Sequence, residues 1–113
     1  MPARPRKKWS LPWDPNWETK RMRWIFTILD PRGPKLKELL EELAPHGFRL
    51  REFKKYRRPT MCLMSITKLA CLTEPALKAE VRRVQKICDR YELVDGLDDV
   101  DVEDPAYDDL SVN

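Results

Sequence analysis

The segment that most constrains the fold runs from Leu72 to Tyr91, LTEPALKAEVRRVQKICDRY. Leu77, Val81, Val84, Cys88 and Tyr91 step by four and three along one helical face, joined by Ile87. Arg82, Arg83, Lys86 and Arg90 occupy the rest of the surface. Thr73 is placed to cap the start, Glu74 and Glu80 suit the positive end of the helix, and the cations gather toward its negative end. A helix with a single apolar stripe must bury that stripe against a second layer.

The remaining segments supply that layer. RMRWIFTIL (21–29) reads as a strand with Trp24, Phe26 and Ile28 on one face and Ile25 and Leu29 on the other, which implies a central position. DPRGP turns the chain, and PKLKELLEELA is a helix opened by Pro34 with a stripe of Leu36, Leu39, Leu40 and Leu43. Pro45, His46 and Gly47 stop it. FRLREFKKY (48–56) alternates only in part and carries Arg49, Arg51, Lys54 and Lys55, as a solvated edge strand would. Arg57, Arg58 and Pro59 lead into a largely buried third strand, TMCLMSITKLA. In ELVDGLDDVDV, Leu93, Leu97, Val100 and Val102 permit a closing strand with Gly96 as a candidate bulge. The order β-α-β-β-α-β is that of an α+β, ferredoxin-like sandwich, with two helices on one face of a four-stranded antiparallel sheet. The expected division is an extended basic arm over 1–20, the domain over 21–103 and an acidic tail over 104–113.

Charge is segregated along the chain. Residues 1–60 hold sixteen Lys/Arg against seven Asp/Glu, whereas residues 92–113 hold nine carboxylates and no Lys or Arg. The net +3 therefore conceals a basic front and an acidic end, a layout unsuited to coating nucleic acid uniformly. Cys62, Cys71 and Cys88 are odd in number and lack CxxC spacing, so they read as buried thiols in a reducing, intracellular compartment, the cytoplasm first and an organelle matrix second. No apolar run reaches the length of a membrane span, and the basic N-terminus has no hydrophobic segment of a secretory signal.

Two sets of residues are candidate contacts. Residues 1–18 hold four of the ten prolines and Trp9, Trp13 and Trp17; Pro5, Pro12 and Pro15 oppose a regular helix. These tryptophans either fold back on the domain's own surface or anchor a partner, since Trp beside Arg and Lys is common at binding hot spots. Asp95, Asp98, Asp99 and Asp101 join them as a candidate partner-binding set. The second set, Arg4, Arg6, Lys7, Lys8, Arg49, Arg51, Lys54, Lys55, Arg57 and Arg58, interleaved with Phe53 and Tyr56, has a composition that serves RNA. CLMSITKL, however, lacks the aromatic pair of an RNA-recognition strand.

Catalytic signals are few. His46 is the only histidine and lies in a Pro-His-Gly turn where a helix-capping role suffices. There is no phosphate-binding glycine loop or HxxxH, and DGLDDVDVED lacks the spacing of a calcium loop. No metal, cofactor or small-molecule substrate is expected.

Trp24-Ile25-Phe26, Gly47-Phe48 and the stretch Tyr91-Glu92-Leu93-Val94-Asp95-Gly96-Leu97 give residues 21–103 a layout similar to the ribonuclease E inhibitor family, regulator of ribonuclease activity B. That family closes on a Tyr-Asp-Gly-Trp signature; here Val94 stands where it has an aromatic and Leu97 where it has tryptophan. The resemblance implies a ferredoxin-like, non-catalytic module that binds an RNA-processing enzyme through acidic surface, with Asp95 and Gly96 the signature positions that match directly. The expectation is thus a regulator or small subunit that binds protein. The alternative is an RNA-associated structural subunit with its basic front half on phosphates.

Overall fold

The computed structural model describes residues 12–105. Within them β1 (Met22–Asp30), α1 (Gly33–Leu43), β2 (Arg49–Arg57), β3 (Thr60–Ala70), α2 (Glu74–Arg90) and β4 (Gly96–Glu103) follow one another. The strands form one sheet in the order β2-β3-β1-β4, and every neighbouring pair is antiparallel. β1 and β2 therefore run in the same direction with β3 between them, and β3 and β4 do so with β1 between them. Each helix crosses over one intervening strand. The architecture is α+β, a four-stranded antiparallel sheet with two helices.

Register explains the pattern of the strands. Leu50, Ile66, Phe26 and Val100 form one row across the sheet, and Phe53, Met64, Ile28 and Leu97 form the next. Apart from Leu50, which is exposed at the β2 edge, these rows meet the helices, because Leu36, Leu39 and Leu43 of α1 and Leu77, Val81, Val84 and Cys88 of α2 share their hydrophobic cluster. Alternation in β2 is partial because the register slips between Leu50 and Glu52, leaving Arg51 as the extra residue of a bulge. β4 slips too, between the partners of Thr27 and Ile28, so its bulge is at Asp98 and not at Gly96. Gly96 instead starts the strand at φ 69°, a backbone state that favours glycine.

α2 begins as its sequence requires, with the Ala76 amide donating to the Thr73 hydroxyl at 3.2 Å. Glu80, which read as a charge near the helix start, is instead buried; its carboxylate lies 3.0 Å from Arg83 and 3.3 Å from Lys68 of β3. The helix ends with the Leu93 amide donating to the Cys88 carbonyl and the Glu92 amide to that of Asp89, with Glu92 itself left-handed at φ 54°.

The connection out of α2 is held from the far side by Asp30, a fully buried carboxylate at the end of β1. Its oxygens accept from Nε and Nη2 of Arg32 at 2.9 and 3.2 Å, from the Arg32 amide at 2.8 Å and from the Val94 amide at 2.8 Å. Nη2 of Arg32 also donates to the Glu92 carbonyl at 2.8 Å. Burial pushes the Asp30 carboxyl up, but the Arg32 guanidinium and the two amides outweigh it and hold the group below its ordinary value.

Contacts reach across both expected boundaries. Pro15–Glu18 form a 3-10 turn capped by Asp14, so the arm is not extended over those four residues, and the Trp17 carbonyl accepts from the Leu72 amide at 3.2 Å. Lys20 and Asp104, one on each side of the expected domain, form an ion pair.

Two outcomes follow for stability. Val84→Asp places a carboxylate in a fully buried apolar site and should cost about 4 kcal/mol or more, enough to abolish a cooperative melt. A near-wild-type melting curve would contradict the packing of α2. Asp30→Asn should cost about 2 kcal/mol through the lost charge-assisted bonds. Because the folded Asp30 carboxyl lies below its ordinary 3.8, its contribution is complete above that value and fades as the pH falls through the lower, folded one. The wild-type melting temperature should therefore fall more steeply on acidification than that of Asp30→Asn, as thermal scans from pH 6 downward would record.

Candidate functional site

Between the helix-facing rows the sheet carries residues of the opposite parity, and neither helix covers them. Arg49, Thr67, Ile25 and Asp101 make one such row, from β2 through β3 and β1 to β4. Glu52, Ser65, Thr27 and Asp99 make the next, and Lys54, Leu63, Leu29 and Gly96 the third. Leu69, Arg23 and Glu103 close one end of the face, and Tyr56 beside Met61 the other. The edges differ in sign. Arg49 and Lys54 stand on the β2 side with Glu52 between them, Asp99, Asp101 and Glu103 on the β4 side, and the middle is apolar or hydroxyl except for Arg23 at one end.

One ion pair spans this face. Glu103 accepts from Arg23 at 2.6 Å, and Nη2 of Arg51 lies 3.6 Å from its other oxygen. A guanidinium from β2 meets a carboxylate on β4 only by lying over β3 and β1. That strap passes above the Ile25 row, and Ile25 and Ser65 are only 5% and 4% exposed although no helix packs on them. Leu29, Met61 and Leu63, toward the other end, stay half-buried, while Leu69 and Tyr56 are exposed.

The candidate carboxylates are thus divided. Asp99 and Asp101 reach the open face, Asp98 occupies the bulge, and Asp95 lies in the turn before β4. Glu103 joins the acidic edge without having been singled out; its signal was the two-residue period from Asp99 and Asp101. The candidate RNA residues do not form one patch. Arg49, Arg51 and Lys54 serve the open face, Lys55 and Arg57 have the helix-side parity, and Arg58 sits in the β2–β3 turn. Arg4, Arg6, Lys7, Lys8 and Trp9 lie outside the described residues.

Trp13 and Trp17 pack on their own domain. The ring of Trp24 is fully buried and donates Nε1–H to the Ala70 carbonyl at 3.0 Å. Trp13 stacks on it with centroids 6.2 Å apart, and Trp17 meets it edge-on at 5.6 Å. Trp13 and Trp17 are themselves edge-to-face at 5.1 Å. The three indoles seal the end of the core on the helix side of the sheet.

Burial, then the neighbouring Asp89, pushes the Cys88 thiol up to about 12, which leaves it protonated at neutral pH. Cys62 is buried as well, whereas Cys71 is exposed, contrary to the expectation for all three. His46 lies exposed in the 3-10 turn Ala44–His46. Among the described residues no group of three or more His, Cys, Asp or Glu side chains converges as a metal-holding set, and no helix is long and apolar enough to cross a membrane.

A scan against models of known protein families, a search of curated proteins and a search of solved structures each found no match to this chain.

The indole cluster makes its own prediction. Trp17→Ala uncovers Trp24 and should cost about 2 kcal/mol, or roughly 10 °C in melting temperature for a domain of this size. A melting temperature within a degree or two of wild type would contradict the sealing role.

Proposed function

We propose that this chain is a non-catalytic protein-binding module, a regulator or small subunit of a larger assembly, and that it engages its partner through the helix-free face of its sheet. The observation that carries this reading is the layout of that face. Leu29, Met61 and Leu63 lie half-buried between the cations of β2 and the carboxylates of β4, with Tyr56 and Leu69 exposed at its ends. An apolar middle inside a charged rim is the anatomy of a protein interface. Trp13 and Trp17 leave the set of proposed contacts, because Trp24 already occupies them.

The finer fold assignment, a ferredoxin-like sandwich, draws support from the strand order read from β4 as 4-1-3-2 and from the two crossovers that each skip one strand. The likeness to the ribonuclease E inhibitor family is part of the same proposal. It draws support from Tyr91 at the end of α2 and from the Asp95-Gly96 turn that opens β4, and it would make an RNA-processing enzyme the partner class. Three unpaired thiols favour a reducing, intracellular setting.

RNA contact is the second reading, and the observation in its favour is the grouping of Arg49, Arg51, Lys54 and Tyr56 on one side of the open face. Asp99, Asp101 and Glu103 on the same face weigh against a phosphate backbone crossing it.

The test replaces Leu63 and Leu69 together by Gln, a change expected to alter stability by less than about 1 kcal/mol. Immobilised wild-type protein should retain specific proteins from an extract of its source cells, and the double variant should lose them. Equal retention by both would remove the open face from the proposal. RNA retained at low salt, with a log–log salt slope that shrinks by roughly one for each of Arg49, Arg51 or Lys54 removed, would favour the second reading.

A further inference from the structure

We infer that the partner seated on the open face is a second copy of this chain, packed sheet to sheet about a two-fold axis parallel to the strands. The inference rests on the reading of that face as a protein-binding surface and names its occupant.

Register and sign together point to this occupant. A two-fold axis lying between two facing sheets and parallel to their strands places β4 of one copy over β2 of the other and keeps each row over its own equivalent. The row Arg49–Thr67–Ile25–Asp101 then meets itself reversed, so that Arg49 of each copy faces Asp101 of its partner and Ile25 faces Thr67. Both Arg49 and Asp101 are exposed. In the third row Leu63 of each copy faces Leu29 of the other, joining four half-buried leucines at the uncovered end of the face. The alternative in-plane axis, perpendicular to the strands, would set β4 on β4 and β2 on β2, with like charges opposed. The charges therefore select one of the two arrangements. Glu52 and Asp99, of equal sign, also face each other in the selected arrangement, and Lys54, 3.0 Å from Glu52, supplies the countercharge there.

The strap does not block this approach. The Arg51–Glu103 pair is 3.6 Å long with both side chains partly exposed, so it contributes about 0–1 kcal/mol and exchanges readily for contacts to a partner. The area suffices as well. Four strands about 4.8 Å apart, each about nine residues long at about 3.3 Å per residue, present roughly 550 Å² per copy, so the pair buries roughly 1,100 Å², the scale at which a specific interface begins. An interface of this size is at the small end of specific contacts, so the dimer is sought at high protein concentration.

The test is sedimentation equilibrium of the full chain and of charge-reversed variants, each checked for an unchanged far-UV spectrum and melting temperature. At about 100 µM the wild type should sediment at twice its 13.5 kDa chain mass. Arg49→Glu alone and Asp101→Arg alone should each weaken the dimer at least about tenfold, because symmetry makes every substitution count twice. An equimolar mixture of the two variants should dimerise again, as should the chain carrying both, since each restores opposite charges at both ends of the row. A monomeric wild type would overturn the inference and leave the open face to a different partner, which the Leu63 and Leu69 experiment detects separately. Single variants that dimerise as well as wild type, or a mixture that stays monomeric, would overturn the proposed axis.

Discussion

The position of β4 depends on one buried carboxylate. Asp30 ends β1 without exposure to water, and an ionised group there is tolerable only because four donors converge on it. Two of those donors belong to the Arg32 side chain, one to its amide at the start of α1, and one to the Val94 amide, far along the chain. The carboxylate thus joins the beginning of the first helix to the connection that leaves the second. Through Nη2, Arg32 extends the same clamp to the Glu92 carbonyl, at the residue held left-handed. Loosening the clamp would free the turn that aims β4 along β1, and with β4 would go the acidic edge of the open face.

Much of the fold was legible because apolar spacing dictates it. The stripe of α2 and the cap at Thr73 predicted the helix that forms, and the five apolar positions of β1 predicted a central strand. Even the irregular strands carried their signal. Leu50 to Phe53 and Leu97 to Val100 each advance by three where a regular strand advances by two, which is the mark of one inserted residue, and the bulges at Arg51 and Asp98 fall in those intervals. Gly96 drew attention as a bulge because glycine marks several backbone exceptions, and the positive φ it supplies here belongs to a turn. The role of Trp13 and Trp17 was not legible, since indoles between prolines suit a partner's pocket as well as their own domain. In the structure Trp13 and Trp17 lie against Trp24, an arrangement of the assembled domain that no local pattern encodes. Glu80 was misread for a related reason. Its charge suited the helix start, but Lys68, which draws it inward, lies on another element.

Charge segregation along the chain becomes segregation in space through topology alone. β2 comes from the basic front and β4 from the acidic end, and the crossovers send these two strands to opposite edges of the sheet. Charged edges have a simple use, because they discourage the sheet from pairing with a stray strand. That use explains the presence of Arg, Lys and Asp at the edges. It does not call for opposite signs, nor for an apolar middle left without a helix.

Opposite signs carry a hazard of their own. A basic edge strand and an acidic one on the same molecule attract each other head to tail, and pairing β2 of one copy with β4 of the next would extend the sheet without closure. Both edge strands are interrupted, one by the bulge at Arg51 and the other by the bulge at Asp98, and a bulge breaks the ladder of hydrogen bonds that such pairing needs. The attraction between unlike charges then has one outlet that satisfies both edges at once, which is to lay face on face. There the two-fold axis closes the assembly at two copies and the leucines of the third row meet, so the devices that oppose open-ended growth are also those that favour the closed pair.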